Sequence, residues 1–265
     1  MGITSRILSH AFFQASSEQR SQQNPPSLNN YSLLRPVFTF GSHEFEAGAA
    51  FLAQSCKGKS DDGESDNEKP QNGIIYLLTA HHLFGFAGGL RKNYHWYDLK
   101  SDPPSVHAAT IDKPSKTISS IAFTPLPGAK GLWAGDASKD IAAFLVQSNK
   151  EFNPLPLANI TPQKGETVWL YSQLKSQLNS QSKYGADNAP LLHQAIIIDS
   201  TEKALVYRFF NKINLRRTSG SPLLNQQGEV VGLHVGGGFV PFIADYGIAN
   251  PIVAINKMLA ADSSD

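Results

Sequence analysis

Short apolar runs separated by turn-forming residues recur through most of the chain. Residues 37–40 and 49–53 are two such runs, and the almost wholly apolar residues 74–78 are typical of a strand buried on both faces. Similar runs follow at residues 141–146, 166–171, 195–198 and 204–207. The pattern predicts many short β-strands rather than a helical domain.

The C-terminal part adds a hairpin and a helix to this prediction. Residues 222–224 and 230–235 flank a turn at residues 225–228, which predicts a β-hairpin. Residues 252–259 carry apolar side chains at a helical period and follow a proline, which predicts a C-terminal helix. Five prolines within residues 101–128 predict that any strands there are short.

Four segments depart from the strand pattern. Residues 3–15 have the spacing of a short amphipathic helix, which we expect to pack on the domain, with a membrane-surface helix as the weaker alternative. Residues 16–30 predict an irregular linker, and residues 56–72 and 174–190 predict polar loops.

Composition excludes several classes of protein. The 265 residues carry 23 Lys and Arg against 22 Asp and Glu, and this balance argues against a nucleic-acid-coating protein. The single cysteine, Cys56, excludes an internal disulfide and a cysteine-based metal cluster. Apolar runs are too short to span a bilayer, and a standard signal peptide is missing, so we expect a cytoplasmic protein or one exported without such a signal. None of this bears on the oligomeric state.

Three segments combine residue types that suit nucleophilic catalysis. Residues 78–82 contain His82, residues 140–145 begin with Asp140, and residues 218–223 contain two serines. A serine hydroxyl becomes a good nucleophile when an imidazole removes its proton, and a buried carboxylate fixes the imidazole tautomer. The residue types therefore favour hydroxyl-based catalysis with an imidazole base.

Two alternatives remain at this point. The first concerns the nucleophile, which is either Ser219 or Ser221. A metal site at His81, His82 and His95 is the other alternative, but it lacks a recognised zinc spacing. We therefore expect neither a metal nor a cofactor.

In this order, the three segments resemble the chymotrypsin/trypsin-fold serine peptidases. Residues 79–82 (Thr-Ala-His-His) are similar to that family's Thr-Ala-Ala-His, and residues 140–142 (Asp-Ile-Ala) to its Asp-Ile-Ala. The resemblance makes His82 the base, Asp140 its orienting carboxylate and Ser219 the nucleophile. Residues 219–234 and 246–251 are similar to a disulfide-poor bacterial branch that includes the glutamyl endopeptidases.

The resemblance covers about residues 36–260 and implies an all-β fold. In that fold two six-stranded antiparallel β-barrels pack together, with the site in the cleft between them and a C-terminal helix. We assign residues 1–35 to an N-terminal extension, 36–150 to the first barrel, and 151–265 to the second barrel with the terminal helix.

The match fails just before the proposed nucleophile. The family has Gly two residues before the serine and Asp or Asn one before it, where this chain has Arg217 and Thr218. The resemblance implies that the amides of Arg217 and Ser219 form the oxyanion hole. The Arg217 side chain restricts the backbone, and an amide turned away would reduce the rate about 10²–10³-fold.

The resemblance also implies how a substrate would bind. In glutamyl endopeptidases a histidine after the serine hairpin contacts the substrate's Glu side chain, and His234 stands at that position. Asn214 replaces a family Thr or Ser, while Val235 and Gly236 follow in the cleft, where an extended polypeptide would pair as an added strand. We therefore expect a serine endopeptidase that cleaves after acidic residues. The alternative is a catalytically weak or inactive trypsin-fold protein that binds peptides or proteins.

Overall fold

The computed structural model describes residues 23–28, 33–54, 74–111, 113–132, 134–147, 150–173, 191–240 and 244–261. The helix expected at residues 3–15, Cys56, and the loops expected at residues 56–72 and 174–190 lie outside the described residues.

Six strands of the N-terminal half close into a barrel. The strands of this half are β1 (Leu33–Phe40), β2 (His43–Glu46), β3 (Ala50–Gln54), β4 (Ile75–Thr79), β5 (Ser105–Thr110), β6 (Thr117–Thr124) and β7 (Ala142–Val146). They pair in the order β1-β5-β6-β7-β4-β3, and β3 returns to β1 through the pairs Leu33–Phe51 and Leu34–Ala50. β2 extends β1 as a hairpin, and the two-residue β8 (Leu155–Pro156) runs parallel to β3. All strand pairs within the ring are antiparallel.

The C-terminal half forms a second closed barrel of six antiparallel strands. These are β9 (Thr167–Ser172), β10 (Leu191–Ser200), β11 (Leu205–Phe209), β12 (Pro222–Leu224), β13 (Val230–Val240) and β14 (Ala244–Pro251), paired in the order β10-β11-β14-β13-β12-β9. The helix α1 (Trp96–Ser101) belongs to the first half, and α2 (Ile252–Ala261) follows β14. The structure thus confirms two closed six-stranded antiparallel barrels with a C-terminal helix.

Each barrel is filled by large apolar side chains. In the first, Phe38 packs against Phe84 and Phe144, with ring centroids 5.0 and 6.0 Å away. In the second, Trp169 and Tyr207 are among the largest fully buried side chains. Helix α2 buries Ile252, Ile255 and Leu259, three positions that share one helical face. Closure satisfies the backbone groups that open sheets leave at their edges.

The expectation of short strands within residues 101–128 is wrong for β6, which has eight residues. The prolines there bracket the strands instead of interrupting them. Pro104 immediately precedes β5, Pro114 lies between β5 and β6, and Pro125 immediately follows β6. At these places a missing N–H removes no ladder hydrogen bond within a strand.

A backbone hydrogen bond joins the two barrels beside the candidate site, and a side-chain hydrogen bond within the first barrel holds the same Ala49 segment. The Ala49 N–H donates to the Ser219 carbonyl across 2.8 Å, and the Thr79 hydroxyl donates to the Ala49 carbonyl across 2.7 Å. Gly220 fits against this segment because it has no side chain, as a Cβ there would lie 2.0 Å from the Ala49 oxygen. Its φ of +90° is also one that glycine adopts freely. The serine-bearing turn is thereby fixed to the first barrel.

Across the described ranges, no helix has the length and apolar character needed to cross a bilayer.

Candidate active site

Strand pairing in the first barrel brings His82 and Asp140 together. Thr79, the last residue of β4, is paired with Ala142, the first residue of β7. His82 lies just beyond β4, in a 3₁₀ turn at His81–Leu83, and Asp140 lies just before β7. As a result His82 Nδ1 is 2.8 Å from Asp140 Oδ2, and the His82 backbone N–H donates to Asp140 Oδ1 across 2.9 Å.

The Asp140 side chain is fully buried and accepts a third hydrogen bond, from the Leu132 backbone N–H to Oδ2 across 2.9 Å. A carboxylate only accepts hydrogen bonds, so the Nδ1 atom of His82 must carry the proton that it shares with Oδ2. The lone pair of the imidazole is therefore on Nε2. Burial of the acid and the paired backbone contacts hold the ring in one tautomer and one orientation.

Ser219 completes a chain of hydrogen bonds that crosses from one barrel to the other. Its Oγ lies 3.0 Å from His82 Nε2, where it can donate to the ring's lone pair. The His82 side chain is 19% exposed, so this end of the chain is open to a ligand. Ser221 is fully buried, and its hydroxyl has no partner among the described residues, so the structure joins Ser219 and not Ser221 to the imidazole.

The backbone at Arg217 has the conformation normally reserved for glycine. Its φ is +68°, a left-handed value that costs a residue with a side chain roughly 1–2 kcal/mol. The Thr218 N–H donates to the Leu215 carbonyl across 3.4 Å, and the Thr218 hydroxyl donates to the same carbonyl across 2.7 Å. A positive φ at the third residue is what a type II turn requires. The side chain at Arg217 therefore does not prevent this turn.

Two backbone N–H groups at this turn are left without acceptors. In the described part of the chain neither the Arg217 amide nor the Ser219 amide has a hydrogen-bond partner. The Ser219 carbonyl, in contrast, is held by Ala49. Unpaired amides on either side of Thr218, close to the serine hydroxyl, are the donors that an anionic oxygen would need.

His234 is fully buried on β13 and bonded to Tyr207 of β11. The Tyr207 hydroxyl lies 2.6 Å from His234 Nδ1, and His234 Nε2 has no partner among the residues described. The pKa of His234 is lowered to about 3, mainly by burial and to a smaller extent by the neighbouring His82, while the Ile248 backbone has an opposing effect. Burial also raises the pKa of Tyr207 well above its usual value. Both side chains are therefore neutral at neutral pH.

The remaining predicted substrate residues differ in their surroundings. Val235 is buried at a bulge in the β13–β14 pairing, and Gly236 faces open space, since nothing lies within 4 Å of where its Cβ would be. β12 pairs with β13 only as far as Leu233, so one edge of β13 beyond His234 has no strand partner in the described barrel. Asn214 is not bonded to His234 there; its Oδ1 accepts from the Arg216 N–H across 3.1 Å.

Sequence reasoning missed two contributors to this arrangement. Leu132 acts through a backbone N–H, which any residue except proline supplies, so no sequence signal marks it. Tyr207 lies in a predicted strand, but its pairing with His234 depends on the barrel register, in which Gly247 leaves room for the tyrosine ring. Both act on a neighbour rather than on a ligand.

The histidine cluster considered as a metal site forms no ligand set. The His81 ring is buried, and its Nε2 donates to the Tyr94 carbonyl across 3.0 Å. Burial lowers the pKa of His81. Within the described ranges no three His, Cys, Asp or Glu side chains converge as metal ligands would.

Comparison with known proteins gives a family match and distant fold relatives. Residues 65–233 match the trypsin-like peptidase domain family. The serine endoprotease from Yersinia pestis is similar in structure, with a TM-score of 0.52 and 17% identity over 92% of this chain and 69% of that one. The thermostable serine protease AL20 from an extremophilic microorganism has a TM-score of 0.51 and 11% identity over 89% of this chain and 99% of its own. No curated protein matches the sequence.

Proposed function

Because the chain belongs to the trypsin-like peptidase domain family, we propose that it is a serine endopeptidase with His82 as general base, Asp140 as its orienting carboxylate and Ser219 as nucleophile. The observation that carries the proposal is the unbroken chain of hydrogen bonds from Asp140 through His82 to Ser219, at 2.8 and 3.0 Å. In this arrangement Asp140 can accept from His82 Nδ1 while the Ser219 hydroxyl donates to His82 Nε2.

The chemistry follows from that geometry. His82 Nε2 takes the proton of the Ser219 hydroxyl as Oγ attacks the scissile carbonyl carbon. The tetrahedral intermediate collapses when the imidazolium gives this proton to the leaving amine, and the amine departs. Water, activated by the same nitrogen, then hydrolyses the acyl-enzyme. Asp140 stabilises the imidazolium between these steps and keeps its Nε2 facing the serine.

The Arg217 and Ser219 amides are the proposed oxyanion donors. Support comes from the left-handed φ of Arg217. Although this residue replaces the family's glycine, its backbone keeps a conformation typical of glycine. Support also comes from the lack of any other acceptor for the two N–H groups in the described part of the chain. Each such donor contributes on the order of 10²–10³ in rate.

The substrate is proposed to be a polypeptide bound in extended form along β13. The edge of this strand beyond His234 carries Val235 and Gly236 and has no strand partner among the described residues, so its backbone groups can pair with an added strand. Gly236 leaves space for the approach of a second backbone.

Cleavage after acidic residues is the proposed specificity, as in the glutamyl endopeptidase branch. If the Tyr207 hydroxyl donates to Nδ1, the neutral His234 ring carries its proton on Nε2, which has no hydrogen-bond partner of normal geometry among the described residues. A buried donor without an acceptor favours a substrate that brings one, and a Glu or Asp carboxylate is the strongest such acceptor. Asn214, whose Oδ1 is already used, retains its amide N–H₂ as a further donor.

A fluorophosphonate probe tests the nucleophile directly. We expect the wild-type protein and Ser221→Ala to be labelled, and Ser219→Ala to remain unlabelled. Ser221→Ala is the matched control because its hydroxyl is buried and unpartnered among the described residues. Equal labelling of Ser219→Ala would refute the assignment. A folded wild-type protein that takes up no label would support the alternative of a non-catalytic binding module.

A peptide-library profile tests the specificity. We expect cleavage after Glu or Asp, and we expect His234→Phe to reduce this preference while leaving probe labelling at Ser219. A wild-type preference for Arg or for large aromatic residues would refute the acidic specificity without affecting the nucleophile assignment.

A further inference from the structure

A network of charged and polar side chains connects the β1–β2 hairpin of the first barrel to the turn that carries Arg217. Glu46, the last residue of β2, accepts through Oε1 from the Arg217 guanidinium and, across 3.1 Å, from the Arg35 guanidinium. The other Arg35 nitrogen donates to Gln173, just beyond β9. The network around the Glu46 carboxylate therefore contains residues of both barrels.

The Arg217 side chain is attached to the backbone position where the turn is most strained. Arg217 is one of two residues other than glycine with positive φ in the described part of the chain. A left-handed backbone persists at such a residue only when its surroundings hold it. The Thr218 hydroxyl holds one end of the turn, through Leu215, and Glu46 is the group that holds the arginine itself.

We propose that Glu46 is a positioning residue for the oxyanion turn: by binding the Arg217 guanidinium it favours the left-handed backbone that presents the Arg217 N–H to the oxyanion. Arg35 supports this by neutralising and orienting the same carboxylate. Glu46 touches neither the substrate nor the reacting atoms. This inference rests on the proposed function, because it assigns a purpose to the same turn.

The expected effect is modest because the pair is partly exposed. The Arg217 and Glu46 side chains are 43% and 41% exposed. An ion pair of this kind shifts an equilibrium by about two- to fivefold. The ion pair favours the form of the turn in which the Arg217 N–H faces the oxyanion. When the pair is lost, some molecules leave this form, and kcat falls in proportion to that fraction while KM changes little.

The kinetic test compares Glu46→Ala with Glu44→Ala. Glu44 lies two residues earlier on the same exposed strand, so the control removes the same charge from the same face. With a peptide substrate we expect Glu46→Ala to lower kcat measurably, by at most about fivefold, at nearly constant KM, and Glu44→Ala to leave kcat unchanged. Equal kcat values for the two variants would refute the proposal.

A second background separates positioning from any other role of Glu46. Glycine adopts the required φ without help, so Arg217→Gly removes the need for the ion pair while keeping the backbone N–H. We expect Glu46→Ala to cause no further loss of kcat in the Arg217→Gly protein. The same loss in both backgrounds would show that Glu46 acts by another route and would refute the proposal.

Crystal structures give a readout that does not depend on turnover. If no protein in the series cleaves peptides or takes up the fluorophosphonate, the proposed function fails. The role of Glu46 in positioning the turn is then tested by the crystal structures alone. A change of Arg217 φ to a negative value in Glu46→Ala, but not in Glu44→Ala, would support it. A φ near +68° at full occupancy in Glu46→Ala, with no second conformer of the turn, would overturn it.

Discussion

Asp140→Asn removes one charge and exchanges one acceptor for a donor at a fully buried position. In the native structure Oδ1 accepts from the His82 backbone N–H, while Oδ2 accepts from His82 Nδ1 and from the Leu132 N–H. An asparagine N–H₂ in the Oδ2 position would face the Leu132 N–H and force the imidazole proton onto Nε2. In the Oδ1 position it would face the His82 N–H. Either orientation leaves one buried donor without an acceptor.

The magnitude follows from these two orientations. An unsatisfied buried donor costs about 1–3 kcal/mol of unfolding free energy. Both orientations remove the negative charge that stabilises the imidazolium, and the first also places the wrong tautomer opposite Ser219. We therefore expect kcat to fall by about 10²–10⁴-fold. The lower limit corresponds to weaker general-base catalysis by His82, and the upper limit to complete loss of the tautomer with its proton on Nδ1.

The assay is peptide hydrolysis together with urea unfolding, and Asp136→Asn is the matched control. Asp136 lies on the same connection, and its Oδ1 accepts from the backbone and the hydroxyl of Ser138 rather than from His82. We expect the control to keep its kcat. A kcat of Asp140→Asn within tenfold of the wild-type value, in a folded protein, would refute the role given to Asp140.

Three further predictions concern neighbouring residues. The pKa of His234 is lowered to about 3, so between pH 3 and 6.5 only the unfolded state binds a proton at this residue. The unfolding free energy, measured by urea titration, should therefore fall by up to about 1.4 kcal/mol for each unit that the pH is lowered in this range. The fall should be less steep in His234→Gln. Arg217→Pro removes an N–H and forbids a φ of +68°, so kcat should fall about 10²–10³-fold. Gly247→Ala would place a Cβ 2.4 Å from the Tyr207 ring, so thermal unfolding should show a loss of about 1–3 kcal/mol.

Each of these predictions has a control variant. His107→Gln, at an exposed position on β5, is the control for the substitution of a histidine. Arg216→Pro falls at the second position of the turn, where proline is favoured; it removes the Arg216 N–H that donates to Asn214 but keeps the Arg217 N–H, so it should lower kcat far less than Arg217→Pro. Gly236→Ala meets open space and should change the unfolding free energy by less than about 0.5 kcal/mol. A control that behaves like its partner variant would contradict the corresponding prediction.

The sequence predicted those parts of the fold that depend on apolar periodicity. The buried β4 and β7, the β12–β13 hairpin and helix α2 all carry strong apolar signals and were predicted near their observed positions. β6 gave no such signal because its residues alternate poorly between exposed and buried, and β2 has no buried residue. Strands of this kind are determined by their partners in the closed ring rather than by their own pattern.

The residues of the candidate site were predictable, but their geometry was not. His82, Asp140 and Ser219 stand out as residue types in recognisable segments. The backbone N–H of Leu132 and the left-handed φ of Arg217 leave no trace in residue identity. Arginine disfavours a positive φ, so its identity predicts against the left-handed backbone found at Arg217, and the contacts made by Thr218 and Arg217 in this turn become visible only in the structure.

The replacement of the family's Asp or Asn by Thr218 can be understood from the same contacts. An aspartate at this position can hold the turn through an ion pair with an amino group released by chain cleavage, whereas Thr218 is almost fully buried and donates its hydroxyl to the Leu215 carbonyl three residues earlier. A local hydrogen bond closes the turn, and the pair between Glu46 and Arg217 links it to the first barrel. Both contacts are made by side chains that are present whether or not the chain has been cut. We therefore expect the turn to keep this conformation in the uncut chain, without an ion pair to a new amino terminus.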